Sequence, residues 1–469
     1  MEAIGEYCFR LPRQGKMRVD ATVFASPRVA LEREALNQLI DAASLPSVVK
    51  VVATPDIHVG FGIPIGCVIG ARDIVVPAAV GYDVNCGMRL LATPLQRDQV
   101  DLEKLANSIR RDIPLGEGKT NLSLSEDALR LVLDGGLSAL DRVAGGAGRV
   151  WECREPEEER DDLLRVEENG SLQGDSRKLS ATAITRGRNQ LGTLGGGNHF
   201  IEIEVVDLVE DEPAARAMGL RRDQIVVMIH SGSRGLGHQV GGDYMRLAKE
   251  AHGGNESLCY LDADSSEGQN YVKAMNAAAN FAFVNRQVMA MLVRRNFRHS
   301  HPGISMPTVY DVPHNIAKLE EHGGEPLWVH RKGATRAFPP GRMAGTPFAR
   351  IGQPVLIPGS MGAASYILLC GPRAAEALFS VNHGAGRAMS RTAAAGVSRK
   401  GKVKVQARIS DEEFRESMKG IVLIAEDKRT IKEEAPAAYK DIGAVIEAVV
   451  GAGLAAVVAR MKPLAVLKG

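Results

Sequence analysis

Short runs rich in β-branched and aliphatic residues recur at 74–77, 225–229, 307–312, 355–358 and 366–370, separated by stretches of ten or more residues with helical periodicity. This alternation predicts an α+β chain. Two of the runs end in a histidine: Val226-Val227-Met228-Ile229 leads into His230, and 309–313 into His314. A third histidine, His199, follows the glycine run of Leu194-Gly195-Gly196-Gly197-Asn198 and precedes an alternating apolar and acidic strand, Phe200-Ile201-Glu202. Polar groups at strand ends have rigid support and open access, which is what ligation and catalysis require.

Two charged segments interrupt the pattern. Residues 154–168 are strongly acidic and run into Asn169-Gly170, which predicts a peripheral insertion at about 152–178 whose acidic side is a solvated helix face that repels RNA. Residues 285–301 gather Arg286, Arg294, Arg295, Arg298, His299 and His301 on a helix and its end. That helix reads either as a phosphate-facing patch or as an exposed amphipathic helix with its arginines in ion pairs.

Composition changes little in this picture. The 469 residues are 45% hydrophobic, enough for a sizeable core, and the 50 glycines point to tight turns and close backbone approaches to ligands. A net charge of +2 means that any polyanion must be met by a local patch and not by the bulk field. Six unpaired-looking cysteines (Cys8, Cys67, Cys86, Cys153, Cys259, Cys370) argue against a disulfide framework, and no apolar run reaches the length of a membrane span, so a cytoplasmic protein without a membrane partner is expected.

The chemistry is concentrated in a few segments. Asn382-His383-Gly384-Ala385-Gly386-Arg387 sets one histidine against a glycine-flanked backbone and an arginine, parts that can hold a nucleotide phosphate while an imidazole attacks it; the plain alternative is a solvated turn. Asp83-Val84-Asn85-Cys86 offers a carboxylate and a thiol to one cation from a turn. With His199, His230 and His314 these make five candidate ligands, which suit two metals if the thiolate bridges. Softness nominates zinc, while the carboxylate keeps manganese open. His58, in Asp56-Ile57-His58-Val59-Gly60, is a supporting group or a substrate contact.

Taken together these segments closely resemble the RtcB family of RNA ligases. The resemblance rests on Asp83-Val84-Asn85-Cys86-Gly87, Gly195-Gly196-Gly197-Asn198-His199-Phe200-Ile201-Glu202, residues 230–237, Pro313-His314-Asn315, Pro358-Gly359-Ser360-Met361-Gly362, residues 382–387 and the closing Lys468-Gly469. It implies joining of an RNA end bearing a 2′,3′-cyclic phosphate or 3′-phosphate to a 5′-hydroxyl, with GTP and two Mn²⁺ ions. By that resemblance Asp83, Cys86 and His199 hold one ion, Cys86, His230 and His314 the other, and His383 takes GMP. The guanylate pocket would comprise Asn198 at the phosphate, Phe200 and Tyr439 flanking the base, and Glu202 and Lys468 on its edge. Asn315, Pro358, Gly359, Ser360, Met361, Ser365 and the backbone of Gly384, Ala385 and Gly386 would complete it.

RNA needs a basic approach, for which Arg234, Arg387 and Arg391 are the candidates beside the site, with Arg331, Lys332 and Arg336 in what reads equally as a solvated turn. Length alone suggests roughly three domains. A site drawing on Asp83, His199, His230, His314, His383 and Lys468 instead implies one catalytic domain over 1–469, expected as a monomer with archease as a candidate activating partner. Two other readings compete: a dinuclear metal-dependent cyclic phosphodiesterase, which needs the five ligands but not His383, and a non-catalytic RNA-binding protein, which predicts eroded ligands.

Overall fold

The computed structural model describes residues 1–143, 151–253, 258–399, 402–426 and 431–469. Two mixed sheets carry the site between them. The first has seven strands in the order Glu2–Gly5, Cys8–Leu11, Ala21–Phe24, Val48–His58, Ile65–Ala71, Glu325–Lys332, Asn315–His322. The second runs Thr308–Pro313, Gly87–Gln96, Gln224–Ser231, Phe200–Val209, Ala455–Lys468, Ser365–Cys370, Val355–Ile357, with Val422–Ala425 parallel to Ala455–Lys468. The predicted runs at 225–229, 307–312, 355–358 and 366–370 all lie on this sheet. The run at 74–77 is a two-residue strand, Ile74–Val75, that turns into a 3₁₀ turn at Pro77–Ala79.

Side-chain alternation decides which face of the second sheet becomes chemical. Ile201, Ile203, Ile225, Val227 and Ile229 pack into one core with Phe281, Val284, Val288 and Leu292 of the helix Ser266–Ser300. Each such side chain stabilises by roughly 1.5–3 kcal/mol on burial. Met88, Leu90, Phe200, Val226 and Met228 occupy the opposite face with Leu356 and Ile367. His230 continues that second row by parity, as do Cys86 beyond Met88 and His314 beyond Val312, so these three face away from the long helix.

That helix is not an exposed one, nor is its arginine cluster a phosphate-facing patch. Arg286 and Arg294 are buried, and Arg295 and Arg298 pair with Asp112 and with Glu155 and Glu158. The ion pairs expected of the alternative reading are present, those of Arg286 and Arg294 inside the protein and those of Arg295 and Arg298 at its edge. The acidic stretch at 154–168 has the expected solvated face in Glu155, Glu157 and Asp161, but Glu159, Asp162 and Glu167 are buried by the same kind of pairing. Arg294 donates to both Asp162 oxygens at 2.6 and 2.8 Å, and Lys318 reaches Glu167 at 2.5 Å. A carboxylate leaves water only where such partners replace its hydration. Among the described residues no helix is long and apolar enough to cross a membrane.

Candidate active site

Strand register assembles the cluster. His230 lies opposite both Met88 and Phe200, and Gly87 opposite both Ser231 and Pro313, so Cys86, His199 and His314 fall one residue outside three neighbouring pairs. Gly87 is required here, because a Cβ at this position would come within 2.6 Å of the Val312 carbonyl oxygen and 2.8 Å of Pro313 Cα. The backbone closes the arrangement: Asn85 N–H donates to Asn315 O at 2.7 Å, and His314 N–H to Cys86 O at 2.8 Å. From the long helix, Arg286 holds Asp311 through paired hydrogen bonds and donates to Asn85 O and Ser231 O at 2.8 and 2.9 Å, clamping the turn and the strand end together.

Cys86 Sγ lies 3.3 Å from His199 Nε2 and 3.2 Å from His230 Nε2, and His230 Nε2 lies 3.4 Å from His314 Nε2. His199 Nδ1 faces the Leu194 carbonyl at 3.1 Å and so must donate, so that in the neutral ring Nε2 carries the lone pair, 2.8 Å from Asp83 Oδ2. Lone pairs brought this close repel unless a cation sits among them, and thiolate, imidazole and carboxylate are a donor set that binds divalent metals. Asp83, Cys86 and His199 could hold one ion, and Cys86, His230 and His314 a second. Burial keeps His230 and His314 well below the usual imidazolium range, hence neutral and able to ligate. Burial first and the Asp83 carboxylate second push the Cys86 thiol well above its usual range, a cost that a neighbouring cation reverses.

His383 follows directly on strand Ser380–Asn382, which pairs with Ala334–Arg336. Its ring lies 4.9 Å from that of His314, which joins it to the ligand cluster. Nδ1 donates to Asp56 Oδ2 at 2.7 Å, so the neutral ring carries its lone pair on Nε2. Asp56 is fully buried and also accepts from Thr54 Oγ1 at 2.6 Å; burial alone would raise its carboxyl, but His383 and these hydrogen bonds hold it below its ordinary value. Gly386 has φ +73°, and a Cβ there would overlap the Asp56 carbonyl oxygen, so only glycine lets the 383–386 turn seat against Asp56. Nothing about Asp56 stood out in the sequence except its place two residues before His58.

A cavity of about 310 Å³ opens in front of these groups. This is within the range for small-molecule sites. Of the expected pocket residues, Asn198, Phe200, Asn315, Pro358, Gly359, Ser360, Met361, Gly384, Ala385, Gly386, Tyr439 and Lys468 line it, together with Asp83, Cys86, His230, His314 and His383. His199, Glu202, Ser365 and Arg234 are not in its wall. Glu202 is buried two residues along from Phe200, where Val466 pairs with it and Lys468 pairs with Phe200, and Ser365 is wholly buried. Arg234 sits behind the cluster, donating to Thr193 Oγ1 at 3.3 Å.

Glu434 is a wall residue that the sequence did not disclose. Its buried carboxylate accepts from Arg387 at 3.3 Å, from Arg391 at 3.1 Å and from the Tyr439 hydroxyl, with Lys468 Nζ 3.6 Å away. It gathers onto one anion four cationic or polar side chains that face the cavity. Of the remaining basic candidates, Arg331 and Arg336 are buried, paired to Glu320 and to Glu167 and Glu168, and form no RNA surface. Lys332 is not in a solvated turn either: it reaches the cavity wall while donating to the Phe61 and Ile63 carbonyls at 2.8 and 2.9 Å.

Residues 38–469 match the sequence model of the family described as tRNA-splicing ligase RtcB. A tRNA-splicing ligase RtcB of Nanoarchaeum equitans is 42% identical, with 100% of this chain and 99% of the relative covered. One of Aeropyrum pernix is 41% identical over 99% of both chains. An RNA-splicing ligase RtcB homolog 2 of Entamoeba dispar is 41% identical over 92% of this chain and 83% of its own.

Proposed function

This chain belongs to the RtcB family, and on that premise we propose that it is a GTP- and manganese-dependent RNA ligase, joining 2′,3′-cyclic phosphate or 3′-phosphate RNA ends to 5′-hydroxyl ends in tRNA splicing or RNA repair. Residues 1–469 act in this reading as one catalytic unit. The observation that carries it is the clamp on His383: Nδ1 is committed to Asp56, and the ring packs against the candidate metal ligand His314. A tautomer fixed in this way presents an uncharged nucleophilic nitrogen beside a site that can neutralise phosphate.

Manganese, held by Asp83, Cys86 and His199 and by Cys86, His230 and His314, supplies charge neutralisation at the transferring phosphate when bound. His383 Nε2 attacks the α-phosphorus of GTP; the N–P bond forms as the bond to pyrophosphate breaks, with its electron pair leaving on pyrophosphate. Asp56 steadies the positive charge that develops on the ring. Phe200 and Tyr439 flank the guanine, Glu202 and Lys468 read its edge, and Glu434 holds Lys468, Arg387 and Arg391 together in the pocket wall. GMP then passes to the RNA 3′-phosphate, and the 5′-hydroxyl displaces it. Arg387 and Arg391 stand in the cavity wall as RNA phosphate contacts, and Arg234 would act from behind the metal ligands.

The test is covalent labelling. With α-labelled GTP and manganese the protein acquires acid-labile label, and His383→Ala does not; equal labelling of that variant removes the nucleophile assignment. Joined product from a cyclic-phosphate RNA and a 5′-hydroxyl RNA separates this reading from a cyclic phosphodiesterase, which would open the cyclic end and join nothing.

A further inference from the structure

His58 ends the strand Val48–His58, two residues after the carboxylate that orients His383, and the steps above leave it without a task. Its Nδ1 lies 2.9 Å from the Asp56 carbonyl oxygen. A carbonyl can only accept, so Nδ1 carries the proton and Nε2 carries the lone pair. The ring is 6% exposed, lines the cavity and stacks on His383 with centroids 6.4 Å apart and planes 19° from parallel. Nε2 has no hydrogen-bond partner among the described residues, and it is not one of the sealed, unpaired polar atoms of the interior. A buried imidazole that lines the reaction cavity and whose one acceptor atom has no partner among the described residues is placed to receive a donor from a ligand.

The nature of that donor follows from the chemistry of the cavity. Phosphate oxygens only accept and are served by Lys332, Arg387 and Arg391 in the same wall. A lone pair repels them, so the partner is a group that brings its own hydrogen: a hydroxyl. GTP and both RNA ends carry hydroxyls, but only the 5′-hydroxyl must attack the RNA 3′-phosphorus, which is joined through a bridging oxygen to the GMP phosphorus that has just left His383 and expels that GMP as the new bond forms. We propose that His58 Nε2 accepts the hydrogen bond of the attacking RNA 5′-hydroxyl and aligns that oxygen with the activated 3′-phosphate. The assignment rests on the ligase reading above. Burial pushes the His58 imidazolium down to about 4, so the ring stays neutral at physiological pH and orients the hydroxyl without needing to remove its proton outright.

The experiment follows the three steps separately in the full-length protein. His58→Asn keeps an amide N–H near the Asp56 carbonyl and loses the acceptor, whereas His58→Gln can place an amide oxygen near the Nε2 position. For His58→Asn we expect guanylylation of His383 and transfer of GMP to an RNA 3′-phosphate within about twofold of the parent. Joining of a preformed GMP-activated RNA 3′ end to a 5′-hydroxyl RNA should fall about tenfold or more, the scale of one lost oriented hydrogen bond, with His58→Gln recovering part of it. Loss of guanylylation in step with joining would mean that His58 merely supports Asp56 and His383, and would overturn the assignment. A defect confined to guanylylation, and absent with 2′-deoxy-GTP, would give the acceptor to the nucleotide ribose. A defect seen only when the activated RNA end carries its 2′-hydroxyl would give it to that end. Unchanged joining would also sink the proposal. A parent enzyme that labels with GMP but never joins RNA would instead strike the ligase reading itself.

Discussion

His383 and Asp56 are 327 residues apart in the chain, yet one Asp56 oxygen accepts both the ring Nδ1–H of His383 at 2.7 Å and its backbone N–H at 3.1 Å. Ring orientation and turn position are therefore fixed by a single buried carboxylate. Asp56→Asn should retain the fold and lose guanylylation by on the order of 10²–10⁴-fold, because the amide can hold the wrong tautomer. Single-turnover labelling with α-labelled GTP measures it; a rate within about threefold of the parent would deny Asp56 its orienting role.

Metal binding should show as stability. Manganese at about 100 times its Kd adds roughly 2.7 kcal/mol to a protein that binds it only when folded. Thermal unfolding of the parent should move up with manganese and back with chelator. Cys86→Ala, which removes the sulfur lying 3.3 and 3.2 Å from two imidazoles, should respond far less. Equal shifts in parent and variant would place the ion elsewhere.

Asp311 receives Arg286 and Arg89 with no side-chain exposure on any of the three. Asp311→Ala leaves two buried guanidinium groups under-partnered and should cost about 3–5 kcal/mol. Because Arg286 also clamps Asn85 and Ser231, manganese affinity should fall with it. Urea unfolding with the midpoint and slope read separately is the measurement, and a cost below about 1 kcal/mol would contradict the clamp.

Asp162 links the acidic segment to pH. Burial alone would raise its carboxyl, but the Arg294 guanidinium holds it well below its ordinary value of 3.8. With the folded pKa depressed, its stabilisation is fully present above pH 3.8 and is lost as pH falls toward the lower folded value. Asp162→Asn should be less stable near neutral pH and lose less of its stability on acidification. Unfolding free energies at several pH values between about 6 and 3 decide it, and parallel curves would refute the coupling.

Glu434 joins the two halves of the pocket wall. Glu434→Gln should weaken GTP use, raising KM about tenfold with a smaller effect on the joining of pre-activated RNA, since a neutral amide no longer gathers Arg387, Arg391 and Lys468. The KM for GTP in the labelling reaction tests this. An unchanged KM would mean that the wall holds without the charge.

How legible was the site? His230 and His314 were visible because the apolar runs that lead into them mark strand ends, and Cys86 and Asp83 because a carboxylate and a thiol three residues apart share one turn. The histidine of 382–387 was visible for its glycine-flanked turn, and the glycine that faces Asp56 turns out to be Gly386. Asp56 and Glu434 were not visible. A carboxylate in a strand, or beside Glu433 in a charged stretch, looks solvated until the fold brings its cation or imidazole to it. The arginines of 285–301 failed for the mirror reason: their partners, Asp311, Asp162, Glu158 and Asp112, lie on other elements.

What the amino-acid sequence determined by itself is local: period-two apolar runs that must become strands, the glycines that allow close approach, and donor atoms spaced for a turn. Only the tertiary structure decided the pairings. Strand register set Cys86, His199, His230 and His314 within bonding distance of one cluster, and face parity turned Cys86, His230 and His314 away from the core helix. Burial then made these charges too costly to leave alone, so Asp56 took His383, Asp162 took Arg294 and Glu434 took the basic wall of the pocket. Such choices depend on distances between residues hundreds of positions apart, and no local spacing encodes them.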